Sequence, residues 1–252
     1  MVHKFKATVL ALTMCAGACL GFNAQASGVL KVGTEGTYAP FEFVDIDHNG
    51  KLIGYDIDIM AAIAQDLDME LEVINMPFDG LIPALMTQQI DAVAAAMSIT
   101  PERAKRVAFS DPYYKSGLSV IIRKDSQDTY KDIADLNGKT LCAQIGTTGF
   151  MTANKLSNKV TAFNTQPEVF LELKAGGCEA VVNDRPVNLY YLVQNQEMDA
   201  VEMNEILSAE QYGIGVRKGN TELLEKINAS LKKLKANGEF AKIHKKWFNV
   251  EE

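Results

Sequence analysis

Histidine, tryptophan and cysteine are scarce in this chain of 252 residues: three, one and four respectively. The shortage narrows the chemistry available. Beyond His3 the only histidines are His48, in a turn, and His244, on a lysine-rich terminal segment. There is no Gly-x-Ser-x-Gly elbow, no His-Glu-x-x-His pair and no glycine-rich phosphate loop with its lysine. The common hydrolase, metalloprotease and nucleotide-binding machineries therefore lack their parts. A basic excess is missing too. With 25 Lys and Arg against 32 Asp and Glu, a net charge of −7, the chain has no cationic surplus with which to displace phosphate counterions. After Phe22 no apolar run approaches the ~20 residues a membrane helix needs. What remains is ordinary globular composition, 47% hydrophobic and 23% charged, which excludes collagen-like, coiled-coil and disordered chains. The length suits one large domain or two of about 100–130 residues.

The first 26 residues read as a secretory signal: Lys4 and Lys6, an apolar run from Ala7 to Phe22, then the small-residue exit Ala24-Gln25-Ala26. A lipoprotein cut at Cys19 is the competing reading, but the leucine usual three residues earlier is absent. Cleavage after Ala26 leaves 226 residues with 23 basic and 32 acidic side chains, a charge of −9. It also leaves two cysteines, Cys142 and Cys178. In an exported chain two cysteines form one disulfide more readily than a metal site, with two buried thiols as the alternative.

Period-2 and period-3.6 patterns alternate along the rest. Val29–Gly33, Phe41–Val44, Lys51–Gly54, Glu70–Ile74 and Asp91–Ala96 read as strands, with helices from Asp56 to Leu67 and from Phe78 to Gln88. The alternation recurs as Thr140–Ala143 strand, Phe150–Leu156 helix, Lys159–Phe163 strand, Glu168–Lys174 helix and Glu179–Val182 strand. Such order predicts parallel sheets covered on both faces. Two blocks of this kind predict two α/β lobes, joined by the extended stretches Ser116–Lys124 and Tyr212–Arg217. Ligands of open α/β sheets bind beyond the carboxyl ends of the strands, so the cleft between lobes is the place to look.

Asp45-x-Asp47-x-Asn49-Gly50, with Asp56 at the twelfth place, has the oxygen spacing of a calcium loop. Its flank is extended, not helical, and its last acid is Asp rather than Glu, so a hairpin turn is expected. Cys142 lies mid-strand without a base nearby, so no thiol nucleophile is expected. Anion capture is better supplied. Thr100 can cap a helix with Pro101 at its first position, which sets Arg103 on the opening turn to grip a carboxylate. Gly146-Thr-Thr-Gly149 links a strand to a helix and can add N–H donors. Asp184, at the end of a strand, can face an ammonium group. A carboxylate grip and an ammonium grip across one cleft describe an α-amino acid.

Several longer stretches carry a family signature: Thr37-Tyr-Ala-Pro-Phe-Glu-Phe43, Gly54-Tyr-Asp-Ile-Asp-Ile-Met-Ala-Ala-Ile-Ala64, Phe78-Asp-Gly-Leu-Ile-Pro-Ala-Leu85 and Ser98-Ile-Thr-Pro-Glu-Arg103. Phe109-Ser-Asp-Pro-Tyr-Tyr114, Gln211-Tyr-Gly-Ile214 and Lys245-Lys-Trp-Phe248 add to them. Over residues 27–252 the chain resembles bacterial extracellular solute-binding protein family 3, the polar amino-acid-binding proteins of ABC importers. The resemblance implies an α/β chain with the type II periplasmic binding protein fold. Residues 27–113 with 212–252 would form one lobe and 114–211 the other, closing on one amino acid in the periplasm.

By position, Arg103 would hold the ligand α-carboxylate with the N–H groups of Ser98 and Thr148. Asp184, the Ser98 hydroxyl and the Ala96 carbonyl would hold the α-ammonium, and Tyr38 and Phe78 would sandwich the side chain. Glu35 and Gln144 would meet its far end. Glutamine binders of this group typically carry Asp and Lys at those two places. The loss of the cation and retention of an acid resembles the arginine binders, so arginine or another cationic amino acid is expected ahead of glutamine. Arg185, beside the site, would oppose that choice if it pointed inward. The resemblance further implies a monomer with no cofactor, metal, catalysis or nucleic-acid partner, served by a membrane permease and an ATPase. A cyclohexadienyl-dehydratase-like enzyme and a soluble amino-acid sensor are the alternatives on this fold.

Overall fold

The computed structural model describes residues 28–46, 49–195 and 199–249. The expected export signal, residues 1–26, and Asp47 and His48 of the calcium-like turn lie outside them. The chain opens with β1 (Val29–Thr34), then a small antiparallel sheet of β2 (Thr37–Tyr38), β3 (Glu42–Asp45) and β4 (Lys51–Ile53). The calcium-like turn is thus the bend of the β3–β4 hairpin, with Asn49 and Gly50 in the left-handed conformation that Asn and Gly tolerate. Asp56, its twelfth residue, is turned into the core.

Helix α1 (Tyr55–Asp66) follows, and its buried residues include Tyr55, Ile59, Met60 and Ile63, the spacing of one helical face. Burying each such side chain contributes roughly 1.5–3 kcal/mol. Then come β5 (Glu70–Asn75), α2 (Phe78–Met86), β6 (Ala92–Val93), α3 (Pro101–Ala104) and β7 (Val107–Phe109). The second unit runs from β8 (Tyr114–Arg123) through β9 (Thr140–Gln144), α4 (Thr148–Leu156), β10 (Lys159–Phe163) and α5 (Gln166–Ala175). It continues with β11 (Ala180–Asp184), α6 (Arg185–Gln194), β12 (Ala200–Glu202) and β13 (Ser208–Tyr212). The chain then returns to the first unit with β14 (Gly215–Arg217), and α7 (Thr221–Ala236) and α8 (Glu239–Phe248) pack on α1.

Two larger sheets result, ordered β5-β1-β6-β14-β7 and β10-β9-β11-β8-β12, with β13 added on β8. The expectation of parallel sheets needs correction, because both are mixed. β1 is parallel to β5 and β6, and β9 to β10 and β11; β14 and β8 run antiparallel to every neighbour they have. The cause is connection. The parallel strands are joined through helices, whereas β8 and β14 arrive along the extended crossings with no helix to turn them round.

The crossings lie earlier in the chain than expected: most of Ser116–Lys124 is a central strand of the second sheet and Gly215–Arg217 belongs to the first, while Tyr114–Leu118 and Ser208–Tyr212 run between the units and pair with each other. β8 and β13 form an antiparallel ladder from Tyr114 opposite Tyr212 to Leu118 opposite Ser208. Around its end the rings of Tyr114 and Tyr212 stack at 5.5 Å, and Phe41 meets them edge-on at 4.9 and 5.2 Å.

Cys142 and Cys178 are joined in a disulfide, with Cα atoms 6.0 Å apart and a sequence separation of 36. It ties β9 to the turn before β11 and lies wholly within the second unit. Closing a loop of that length reduces the entropy of the unfolded chain. The double substitution Cys142→Ala/Cys178→Ala is therefore expected to lower the unfolding free energy by about 2–4 kcal/mol. Denaturant melts check this, and wild type treated with reductant should lose the same amount.

Candidate functional site

The carboxyl ends of the strands, and the helices that start there, converge on one small, nearly closed cavity of about 10 Å³. From the first unit come Tyr38 on β2, Phe78 at the start of α2, Ala95, Ala96 and Ser98 after β6, and Arg103 on α3. From the second come Gln144 at the end of β9, Thr147 and Thr148 where α4 begins, and Asp184 at the end of β11. Eight of the nine expected ligand residues line it. Glu35, the ninth, stands just behind, 3.3 Å from Gln144 Nε2.

Arg103 is placed by its helix start. The Thr100 hydroxyl accepts from the Arg103 backbone N–H at 3.1 Å, and Pro101 takes the first helical position. The buried guanidinium donates to the Ser98 carbonyl at 2.8 Å and, across the cleft, to the Gly146 carbonyl at 3.0 Å, and lies 5.2 Å from the centre of the Phe78 ring. Gly146 is in the left-handed conformation, φ +79°, and a side chain on Gly149 would strike the Val182 carbonyl oxygen. Gly149 thus brings the start of α4 against β11, while Gly146 lies against Asp79 of α2. Thr147 then caps α4, accepting from the Phe150 N–H at 3.0 Å, and Thr148 carries one of the first-turn N–H groups that no helical carbonyl can reach.

Asp184 is 6% exposed. Its Oδ2 accepts from the Tyr38 hydroxyl across the cleft at 2.6 Å, while Oδ1 is buried without a hydrogen-bond partner. Burial first, and the charge of Glu210 second, push its carboxyl up to about 7. Burial and the neighbouring Asp184 likewise push the Tyr38 phenol well above its usual range, so it remains a donor. The orphaned Oδ1 is a costly feature in a folded interior unless a donor arrives to meet it.

At the far end, Glu35 accepts from Thr37 and Gln144, and burial raises its carboxyl from the ordinary value. The Gln144 amide also donates to the Asn164 carbonyl at 2.9 Å. Two residues on, Gln166 starts α5 fully buried with neither amide atom paired. Arg185 points away: it binds Glu202 at 3.1 Å, is half-exposed and does not line the cavity. The repulsion it could exert on a cationic ligand is removed.

Sequence reasoning missed two supports. Ala96 adopts φ +43°, a left-handed conformation unusual for alanine, and its N–H donates to Asp56 Oδ2 at 2.7 Å, where the Tyr113 hydroxyl also donates at 2.6 Å. Burial first, and then the charge of Asp56, push the Glu42 carboxyl well up from its ordinary value. Asp56, read first as a possible metal ligand, thus pins the Ala96 backbone at the cavity wall. The second support is Glu210 on β13, which accepts from the hydroxyls of Ser98 and Thr148. The signal for it was alternation: Ser208, Glu210 and Tyr212 share one face of their strand. A separate groove opens between α6 and α8, lined among others by Arg185, Tyr190, Val193, His244 and Trp247.

The chain and its fold are similar to those of known proteins. The family model described as "Bacterial extracellular solute-binding proteins, family 3" matches residues 30–250. The ABC transporter arginine-binding protein 1 of Escherichia coli (strain K12) is 36% identical over 234 residues, 90% of this chain and 93% of that protein. An ancestral arginine-binding protein, solved bound to arginine and bound to glutamine, superposes with a TM-score of 0.84 in both forms. It is 46% identical and covers 88% of this chain and 99% of its own. The ancestral amino acid-binding protein AncCDT-1, a precursor of cyclohexadienyl dehydratase, gives a TM-score of 0.81 at 38% identity, over 88% of this chain and 96% of that one. A signature that spans the described chain, and relatives above 30% identity along nearly all of it, settle the family: the chain belongs to the bacterial extracellular solute-binding proteins, family 3.

Proposed function

We propose that this protein is the periplasmic receptor of an amino-acid ABC importer, and that it closes its two lobes on one polar L-amino acid, with arginine or another cationic amino acid preferred to glutamine. One observation carries the reading: a buried Asp184 oxygen without a donor shares a small cavity with the guanidinium of Arg103. An α-ammonium answers the first and an α-carboxylate the second, helped by the Thr148 N–H at the start of α4. Because Arg103 and Asp184 come from different units, one ligand contacts both at once, which favours the closed form. The β8–β13 ladder supplies the hinge.

Charge supports the preference for a cation. Glu35, Asp184 and Glu210 surround or line the cavity, against the single guanidinium of Arg103. A zwitterion leaves that excess of acid in place; a guanidinium side chain reaching towards Glu35 reduces it. The relative named for arginine, and the ancestral protein solved with both arginine and glutamine, support the same short list. In this reading the acids bind and do not turn over substrate, the closed form docks on a permease served by an ATPase, and the receptor acts as a monomer. AncCDT-1, for its part, is described as an amino acid-binding protein.

A thermal-shift panel of the twenty amino acids tests the reading, since a bound ligand raises melting by mass action. L-Arginine should give the largest shift and L-glutamine the next; silence across the panel overturns the proposal. Arg103→Ala should weaken every α-amino acid by about a hundredfold or more in calorimetry, because a buried charge-assisted pair is lost. Affinity should also depend on pH. Asp184, raised to about 7, is mostly protonated at pH 6 and must lose that proton to hold an ammonium. Binding is therefore expected to tighten about tenfold from pH 6 to pH 8 and then level off, and a flat profile would count against Asp184 as the acceptor.

A further inference from the structure

Glu210 makes its contacts from outside the cavity, yet reaches both walls of it. Its Oε2 accepts from the Ser98 hydroxyl of the first unit and from the Thr148 hydroxyl of the second at 2.9 Å, and Oε1 accepts from Ser208 Oγ at 3.2 Å. Ser98 and Thr148 line the cavity and are 2% and 8% exposed. A hydroxyl has one proton and two lone pairs, whereas a carboxylate can only accept. Each hydroxyl therefore commits its proton to Glu210 and has lone pairs alone to offer a ligand.

Building on the amino-acid reading above, we infer that Glu210 is a positioning residue that determines specificity at the α-carbon: it fixes the Ser98 and Thr148 hydroxyls as acceptors and so makes the site select an α-ammonium. The consequence for the carboxylate grip is equally definite. Thr148 Oγ1 offers no proton to an anion, so its help to a carboxylate comes through the backbone N–H. A purely structural latch between the lobes, by contrast, would strengthen every ligand alike.

The test compares ligands that differ only at the α-carbon: L-arginine with 5-guanidinopentanoate, and L-glutamine with glutaramate, each analogue having hydrogen in place of the ammonium. Calorimetry on the whole protein, with analogues read by competition, would cover wild type, Glu210→Gln and Glu210→Ala. Gln keeps the shape but can donate, which frees the hydroxyls to turn; Ala removes the acceptor and guards against a Gln variant that fails to fold. Amino-acid affinity is expected to fall about tenfold while that of the analogue stays within about twofold, so discrimination collapses by about tenfold. Equal weakening of both ligands, or discrimination kept intact, overturns the inference and leaves the amino-acid reading standing. Wild type that binds neither amino acid would instead overturn that reading, and the inference with it.

Discussion

Everything in the site is placed by the hydrogen bonding of two strands that cross in opposite directions. Residues 114–118 leave the first unit and residues 208–212 come back, locked together as an antiparallel ladder. A single flexible linker would let the units swing freely. Two paired strands permit bending and twist about one axis but resist slip, because slip would break the ladder and turn inward faces outward. The register that stacks Tyr114 on Tyr212 is also the register that sets Glu210 between Ser98 and Thr148. Cleft geometry and hinge geometry are one arrangement.

Inside the cleft the difficulty is charge withdrawn from water. A buried carboxylate or guanidinium is costly unless it is answered by partners. Arg103 is answered by two carbonyls and a ring face, and Asp56 Oδ2 by an N–H and a phenol. Asp184 is only half answered. Oxygens of Asp56 and Glu42 and the Gln166 amide are buried without partners as well, but of these residues Asp184 is the one that lines the cavity, a placement that favours a site finished by something it captures.

Much of this was legible in the residues themselves. The helical face of Tyr55, Ile59, Met60 and Ile63, the Thr100-Pro101 helix start, and Asp184 at a strand end all follow from local pattern, and the structure has them there. Strand direction was not legible, because alternation of strand and helix says nothing about strands that arrive without a helix. The hairpin turn was legible too, but the role of Asp56 was not, because oxygen spacing along the chain is blind to which side of the backbone is buried. Ala96 gives no sign of its left-handed conformation, which is imposed by Asp56, forty residues away in sequence. Glu210 did share an alternating face with Tyr212, but only the fold reveals that the face meets Ser98 and Thr148.

The chain contains one tryptophan, and it sits in a telling place. Trp247 packs edge-on against Phe43 at 5.8 Å and donates to Asp58 at 2.7 Å, so it is anchored in the first unit. The groove it lines has α6 of the second unit as its opposite wall. The indole is thus fixed to one body while the other body forms part of its surroundings. An unlabelled sample already contains a single indole at the seam, and its emission is free of the background from other indoles that usually obscures such a signal.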